Sequence, residues 1–200
     1  MPRQVDHDER RRRIAEAVWR LARRGGLEQV TLRQVAAEAD VSPRLLQYYF
    51  GTRDQVLLGA LEILNADAEA RAKERMTELG DAPMIRAVVR GVLLELLPLD
   101  QERRERHIVY SAYFVRFLTE PALASVAGAA TSGIADLVAD LIAHAQASGD
   151  APPGIEPAPE AAFLTAGAEG LQTQMLLGHL SGDEALAIID RQLDRVFAES

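Results

Sequence analysis

Cysteine is absent from the 200 residues, which excludes disulfides and thiolate metal sites. The charged-then-apolar leader of an exported chain is missing, and so is any run of about eighteen apolar residues, which predicts a cytoplasmic protein. Long β-branched alternations are missing as well, while alanine and leucine abound and glycine and proline gather at a few joints. That is an all-α composition. At 48% hydrophobic and a mean hydropathy of −0.06, the chain has material for one domain or two small ones. The sequence shows no nucleophile elbow, glycine-rich phosphate loop, two-histidine metal motif or dinucleotide fingerprint. Its four histidines (His7, His107, His144 and His179) are scattered without ligand spacing. His107 and Tyr110 have acid–base chemistry, yet nothing in sequence pairs with them. No enzyme, metal site or cofactor is expected. No internal repeat is evident.

Charge is unevenly distributed. Residues 1–53 carry 11 basic side chains against 7 acidic ones, a net of +4, whereas the whole chain stands at −8 and the remainder therefore at −12. A basic head on an acidic body suits a protein that meets phosphate at one end only. A solvated basic cluster at Arg10 to Arg13 reads the same way.

Within the head, Thr31 to Arg53 (TLRQVAAEADVSPRLLQYYFGTR) reads as two short helices, a tight turn between them, and the start of another helix. Thr31 and Gln34 form a capping box, and Leu32, Val35, Ala36 and Ala39 follow at helical spacing. Asp40-Val41-Ser42 breaks the pattern. Ser42 is an N-cap, and Pro43 takes the first helical position, where its missing N–H costs nothing. The second helix then turns Arg44, Gln47 and Tyr48 outward, with Leu45, Leu46 and Tyr49 as candidates for the inner side. Thr52 and Gln55 form another capping box. This is the helix-turn-helix pattern, whose second helix enters a major groove, although a plain surface hairpin has the same spacing. An earlier helix, Asp8 to Arg24, places Ile14, Ala17, Val18 and Leu21 on one face and stops at Gly25-Gly26. Trp19 packs between helices, Leu27 and Val30 close the small core, and Arg10 to Arg13 lie within reach of a phosphate backbone.

The run IAEAVWRLARRGGLEQVTLRQVAAEADVSPRLLQYYFGTRDQVLLGAL resembles the N-terminal domain of the TetR family of transcriptional regulators. The resemblance implies a DNA-binding domain over residues 1–53 and a helical regulatory, ligand-binding and dimerisation domain over 54–200, about nine helices in all. It places Thr31 at a backbone phosphate and Arg33 at a phosphate or base edge. Ser42, Arg44, Gln47 and Tyr48 fall on the recognition helix, Tyr49 at the sugar-phosphate strand, and Arg53 at a phosphate, with Thr52 beside it. Two positions depart from the family's pattern: Arg44 stands where a small residue is frequent, and Gln47 where tyrosine is common. Arginine reads guanine and glutamine reads adenine, so the operator is not borrowed from relatives. Phe50 is core.

Beyond Arg53 the chain reads as six more helices. They run from Asp54 to Leu79, from Asp81 and Pro83 to Pro98, from Asp100 to Thr119, from Pro121 to Ser148, from Glu160 to Leu180, and from a Ser181/Glu184 cap to Ala198. Residues 149–159 (GDAPPGIEPAP) form a loop with freedom to move. The stretch from Leu96 to Ala124, with the helix after that loop, is similar to the BetI-type branch of the family. The last two helices offer Phe163, Leu171, Met175, Leu186, Ile189, Leu193 and Phe197. In TetR-like proteins the corresponding pair forms a four-helix bundle between two subunits, matching a palindromic operator on double-stranded DNA. His107, Tyr110, Phe114 and Phe117 make one stripe, with Ser111 and Tyr113 beside it. Such a stripe is either ordinary core or, with Gln172, the lining for an unknown small-molecule effector, which the resemblance implies; a filled core would instead favour a DNA-binding regulator controlled by a partner protein. Tyr and Phe rings can also cage a quaternary ammonium, the kind of group choline carries.

Overall fold

The structure, a computed structural model, describes residues 2–78 and 84–197, with residues 2–6 described by backbone only. Among these are nine α-helices and no strand. They are α1 (Pro2–Gly25), α2 (Leu32–Glu38), α3 (Pro43–Phe50), α4 (Arg53–Thr77), α5 (Ile85–Glu95), α6 (Gln101–Phe117), α7 (Pro121–Ser148), α8 (Pro157–Leu176) and α9 (Gly182–Val196). A single 3-10 turn, Leu27–Gln29, separates α1 from α2. The expected end of the fourth helix at Leu79, the Asp81–Pro83 opening of the fifth and the Ala198 end of the ninth lie outside the described residues.

Most helix ends follow from local chemistry. Thr31 and Gln34 close the expected box on α2, the Thr31 hydroxyl accepting from the Gln34 amide (3.2 Å) while the Gln34 side chain takes the Thr31 N–H (3.0 Å). Thr52 and Gln55 do the same for α4, and Ser181 and Glu184 for α9. Ser42 accepts from the Leu45 amide at 3.1 Å, and Pro43 opens α3. Between α2 and α3, Asp40 adopts φ 53°, a left-handed conformation that aspartate tolerates better than most residues. The Val41 and Asp40 amides then return to the Ala36 and Ala37 carbonyls, satisfying groups that the end of α2 leaves open.

Two starts differ from expectation. α1 begins at Pro2 rather than Asp8, and α8 begins at Pro157, which sits at the first helical position. The loop before α8 is also held in place: Gln146 Nε2 donates to the Pro152 and Ile155 carbonyls, each at 2.8 Å.

The chain divides into two compact units, Met1–Glu69 with Ile108–Ala127, and Ala70–His107 with Gly128–Ser200. The first has its core in Ile14, Val18, Leu27, Val30, Val35, Leu46, Leu57, Leu61 and Tyr113. Trp19 packs at its edge and donates from Nε1 to the Ala60 carbonyl at 3.1 Å. In the second unit, α5, α8 and α9 bury Val89, Leu93, Leu164, Ala168, Ile189 and Leu193. Arg90 clamps α5 to α9 through Asp190 (2.6 and 3.1 Å), holding that carboxyl below its ordinary pKa. α7 is long and apolar enough to cross a membrane, by length and composition only: its best 18-residue window averages a hydropathy of 1.5, with 11% of it buried. Ser, Thr, Gly and Asp interrupt it, so it is not an unbroken apolar run.

Candidate nucleic-acid interface

The recognition helix is seated by its buried side. Leu46 is fully buried and Phe50 nearly so, while Leu45 and Tyr49 are half-buried. The Arg11 guanidinium of α1 lies over the Phe50 ring, 4.9 Å from its centroid. On α4, Gly59 leaves room for the same ring: a Cβ there would come within 2.5 Å of Phe50 Cε1. These contacts tie the C-terminal end of α3 to both α1 and α4.

The opposite side is open. Ser42, Arg44, Gln47 and Tyr48 are all exposed, Tyr48 at 75%, and on α2 so are Thr31 and Arg33. Six arginines of the head have found partners within the protein. Arg12 makes a two-pronged pair with Asp67 (2.6 and 2.7 Å), Arg13 reaches Asp40 (3.2 Å), and Arg11 covers Phe50. Arg20 and Arg24 both bind Glu38, and these hydrogen bonds lower its pKa. Arg53, expected at a phosphate, turns inward and donates to the Val30 (2.6 Å) and Leu27 (2.7 Å) carbonyls. It holds the start of α4 to the segment leading into α2, and its Nη1 lies 3.8 Å from the Asp54 carboxylate. The stretch Arg11 to Arg13 is likewise occupied rather than extended toward DNA. Arg33 and Arg44, exposed on α2 and α3, make no ion pair or hydrogen bond among the described residues. Thr52 is exposed, with its hydroxyl engaged in its cap.

The other expected sites fare unevenly. On α6 the buried positions are His107, Val109, Tyr113 and Arg116, so the inward stripe is turned by about one residue from the expected one. Phe114 is 60% exposed; Tyr110 and Phe117 are half-buried, and their rings meet edge-on at 6.3 Å. The reason is Arg116, which takes an inner position because Asp54 (3.2 Å) and Glu120 compensate its charge. Tyr113 donates to the Leu57 carbonyl at 2.9 Å and stacks on Phe117. Tyr110, Phe114 and Phe117 belong to the first unit, His107 and the half-buried Gln172 to the second. Burial pushes the His107 pKa down to about 4, so its ring is neutral near pH 7.

Of the residues expected at a dimer interface, Met175, Ile189 and Leu193 are buried inside the protomer and unavailable to a partner. Their apolar stripes cover the protomer's own core. Leu171, Leu186 and Phe197 are half-buried, and Phe163 is 65% exposed. The open face of α8 instead runs through Ala162, Phe163, Ala166, Gly167 and Gly170, with the exposed Leu177 just past its end.

Comparison with known proteins agrees with this architecture. Residues 14–60 match the model for bacterial regulatory proteins of the tetR family, and residues 85–198 match that for the BetI-type transcriptional repressor C-terminal domain. The HTH-type transcriptional regulator PksA of Bacillus subtilis (strain 168) is 32% identical over 114 residues, 56% of this chain and 54% of PksA. The HTH-type transcriptional repressor KstR of Rhodococcus jostii (strain RHA1) is 40% identical over 75 residues, 38% of this chain and 32% of KstR. The matched stretches thus span about half or less of these curated relatives. A crystal structure of a TetR-family transcriptional regulator from Rhodococcus sp. superposes with a TM-score of 0.85 at 28% identity, covering 95% of this chain and all of that one.

Proposed function

The chain belongs to the TetR family of bacterial regulatory proteins, and from that membership we propose that it is a cytoplasmic, homodimeric repressor released from a palindromic operator by a small molecule. One observation carries the DNA-binding part: Arg33, Arg44, Gln47 and Tyr48 stand exposed on α2 and α3, the two arginines unpaired among the described residues, while six neighbouring arginines are consumed internally. A free guanidinium on a helix that fits a major groove is available to a guanine edge or a phosphate at no cost of breaking an ion pair. In this reading residues 1–53 contact DNA and residues 54–200 regulate and dimerise.

The open face of α8 supplies the second subunit's seat. Gly167 and Gly170 are exposed, and among the described residues no packing neighbour crowds the place a Cβ would take, so the partner's helix can approach closely, with Phe163 and Leu177 as apolar anchors. A two-fold pairing sets the recognition helices about 34–36 Å apart, one turn of DNA. The effector acts by binding the DNA-incompetent state better, since equal affinity for both states would shift nothing. The test is a titration against DNA flanking the protein's own gene, with random duplex as reference at fixed salt. Tight protection of a palindrome is the expected result. Binding no tighter than to random DNA there and at sites selected from a randomised library refutes the repressor reading.

A further inference from the structure

α1 starts at Pro2, well before residue 14, where the match to the family's DNA-binding domain begins. In that leading portion His7 is half-buried against the recognition helix: its ring centroid lies 4.4 Å from that of Tyr49, with the planes at 61°. Tyr49 in turn meets Tyr48 edge-on, at 5.4 Å and 86°. Three rings therefore run in contact from α1 to the exposed Tyr48. Edge-to-face packing sets the positive rim of one ring against the negative face of the next, which favours a particular orientation as well as burying area. A tyrosine on a helix chooses mainly between two side-chain directions, and a ring packed against it selects one.

We propose that His7 is a positioning residue for operator recognition: packed against Tyr49, it holds the Tyr49–Tyr48 pair at the C-terminal end of α3 in the orientation that meets DNA. The inference rests on α3 being the recognition helix. His7 acts through ring packing and not through charge. Its loss therefore degrades the fit to a specific site and leaves the number of neutralised phosphates, and so the salt dependence, unchanged.

The experiment uses the full-length chain and a fluorescent duplex that the wild-type protein has selected from a randomised library, with a random duplex alongside, over a range of salt. His7→Ala should weaken binding to the selected duplex by about tenfold, the scale of one aromatic pair. Random-duplex binding and the salt slope should stay at wild-type values. Alanine is the better helix former, so α1 is not loosened by the change. His7→Phe should restore the lost affinity. Wild-type affinity in His7→Ala overturns the proposal, and so does a loss that His7→Phe fails to restore. A slope lower by about one also overturns it, because His7 would then be a phosphate contact itself. If the wild-type protein itself does not prefer the selected duplex, the reading of α3 has failed, and this inference falls with it.

Discussion

Gly59 tests how tightly the recognition helix is seated. It lies in the interior of α4, where glycine costs about 1 kcal/mol relative to alanine, so on helix propensity alone Gly59→Ala should stabilise the protein. The structure argues the opposite. An added Cβ would sit 2.5 Å from Phe50 Cε1 and 2.9 Å from Cδ1, with Arg11 Nη2 at 3.7 Å. Contacts below 3 Å do not persist, and Phe50 is buried beneath the Arg11 guanidinium, so its ring cannot simply swing into solvent. Overpacking of this kind costs about 1–3 kcal/mol. Set against the propensity gain, the net expectation is a loss of roughly 1 kcal/mol, or about 2–4 °C in Tm for a chain of this size.

Urea denaturation of the wild type, Gly59→Ala, Phe50→Leu and the double variant measures this directly. Phe50→Leu should cost less in the Gly59→Ala background than alone, because the smaller side chain relieves the clash, and the coupling should be about 1 kcal/mol. Operator affinity should fall in Gly59→Ala as well, since Phe50 is the last residue of α3. A variant more stable than wild type by about 1 kcal/mol, with no coupling to Phe50, refutes the reasoning. Propensity would then be the only effect present.

Arg44→Ala should weaken operator binding by about 1–3 kcal/mol with little change on random duplex; equal losses on both would make Arg44 a phosphate contact. Tyr113→Phe removes the buried hydroxyl's bond to the Leu57 carbonyl and should lower stability by about 1 kcal/mol in urea, and an unchanged midpoint would mean that bond has no net worth. Gly170 is exposed on α8, so Gly170→Leu places its side chain at the protomer surface, yet it should shift sedimentation from dimer toward monomer; an intact dimer puts the interface elsewhere. His107 binds its proton more weakly folded (about 4) than unfolded (about 6.5), so between those values the unfolded state holds more protons and stability rises with pH. Its contribution, lost on acidification from pH 6.5 to 4, is up to about 3 kcal/mol. His107→Gln should flatten the unfolding profile in that window, and an unaltered slope would assign it to other groups.

What could be read from the sequence was what nearest neighbours decide. The capping boxes at Thr31, Thr52 and Ser181, the prolines opening α3 and α7, and the buried stripe Ile14, Ala17 and Val18 are set within one or two helical turns. Partners far along the chain were not legible. Arg53 finds carbonyls 23 and 26 residues away, and Arg12 finds Asp67 at a separation of 55. Side-chain type gives no hint that these guanidinia are spent. On α6 the rule that aromatic residues face inward chose Phe114, yet the inner position went to Arg116. A charged side chain outcompetes a ring there only because Asp54 and Glu120 are waiting for it. The apolar stripe of α9 was visible, but not whether it covered its own protomer's core or a partner's.

Packing does not break at residue 53: the first compact unit runs through it to Glu69 and takes in Ile108–Ala127. Arg53 and Asp54 are consecutive, and they face opposite duties. The first holds the Leu27 and Val30 carbonyls, immediately before the Thr31 cap of α2; the second receives Arg116 from α6. Tyr113, one turn earlier on α6, grips the Leu57 carbonyl one turn further along α4. The last turns of α6 and the first turns of α4 are thus locked together at two points, one of them ionic and partly exposed, the other buried. Displacing that end of α6 must either break both bonds or carry the start of α4 with it. In the second case Arg53 carries the movement to the Leu27 and Val30 carbonyls, and so to the backbone immediately before the α2 cap.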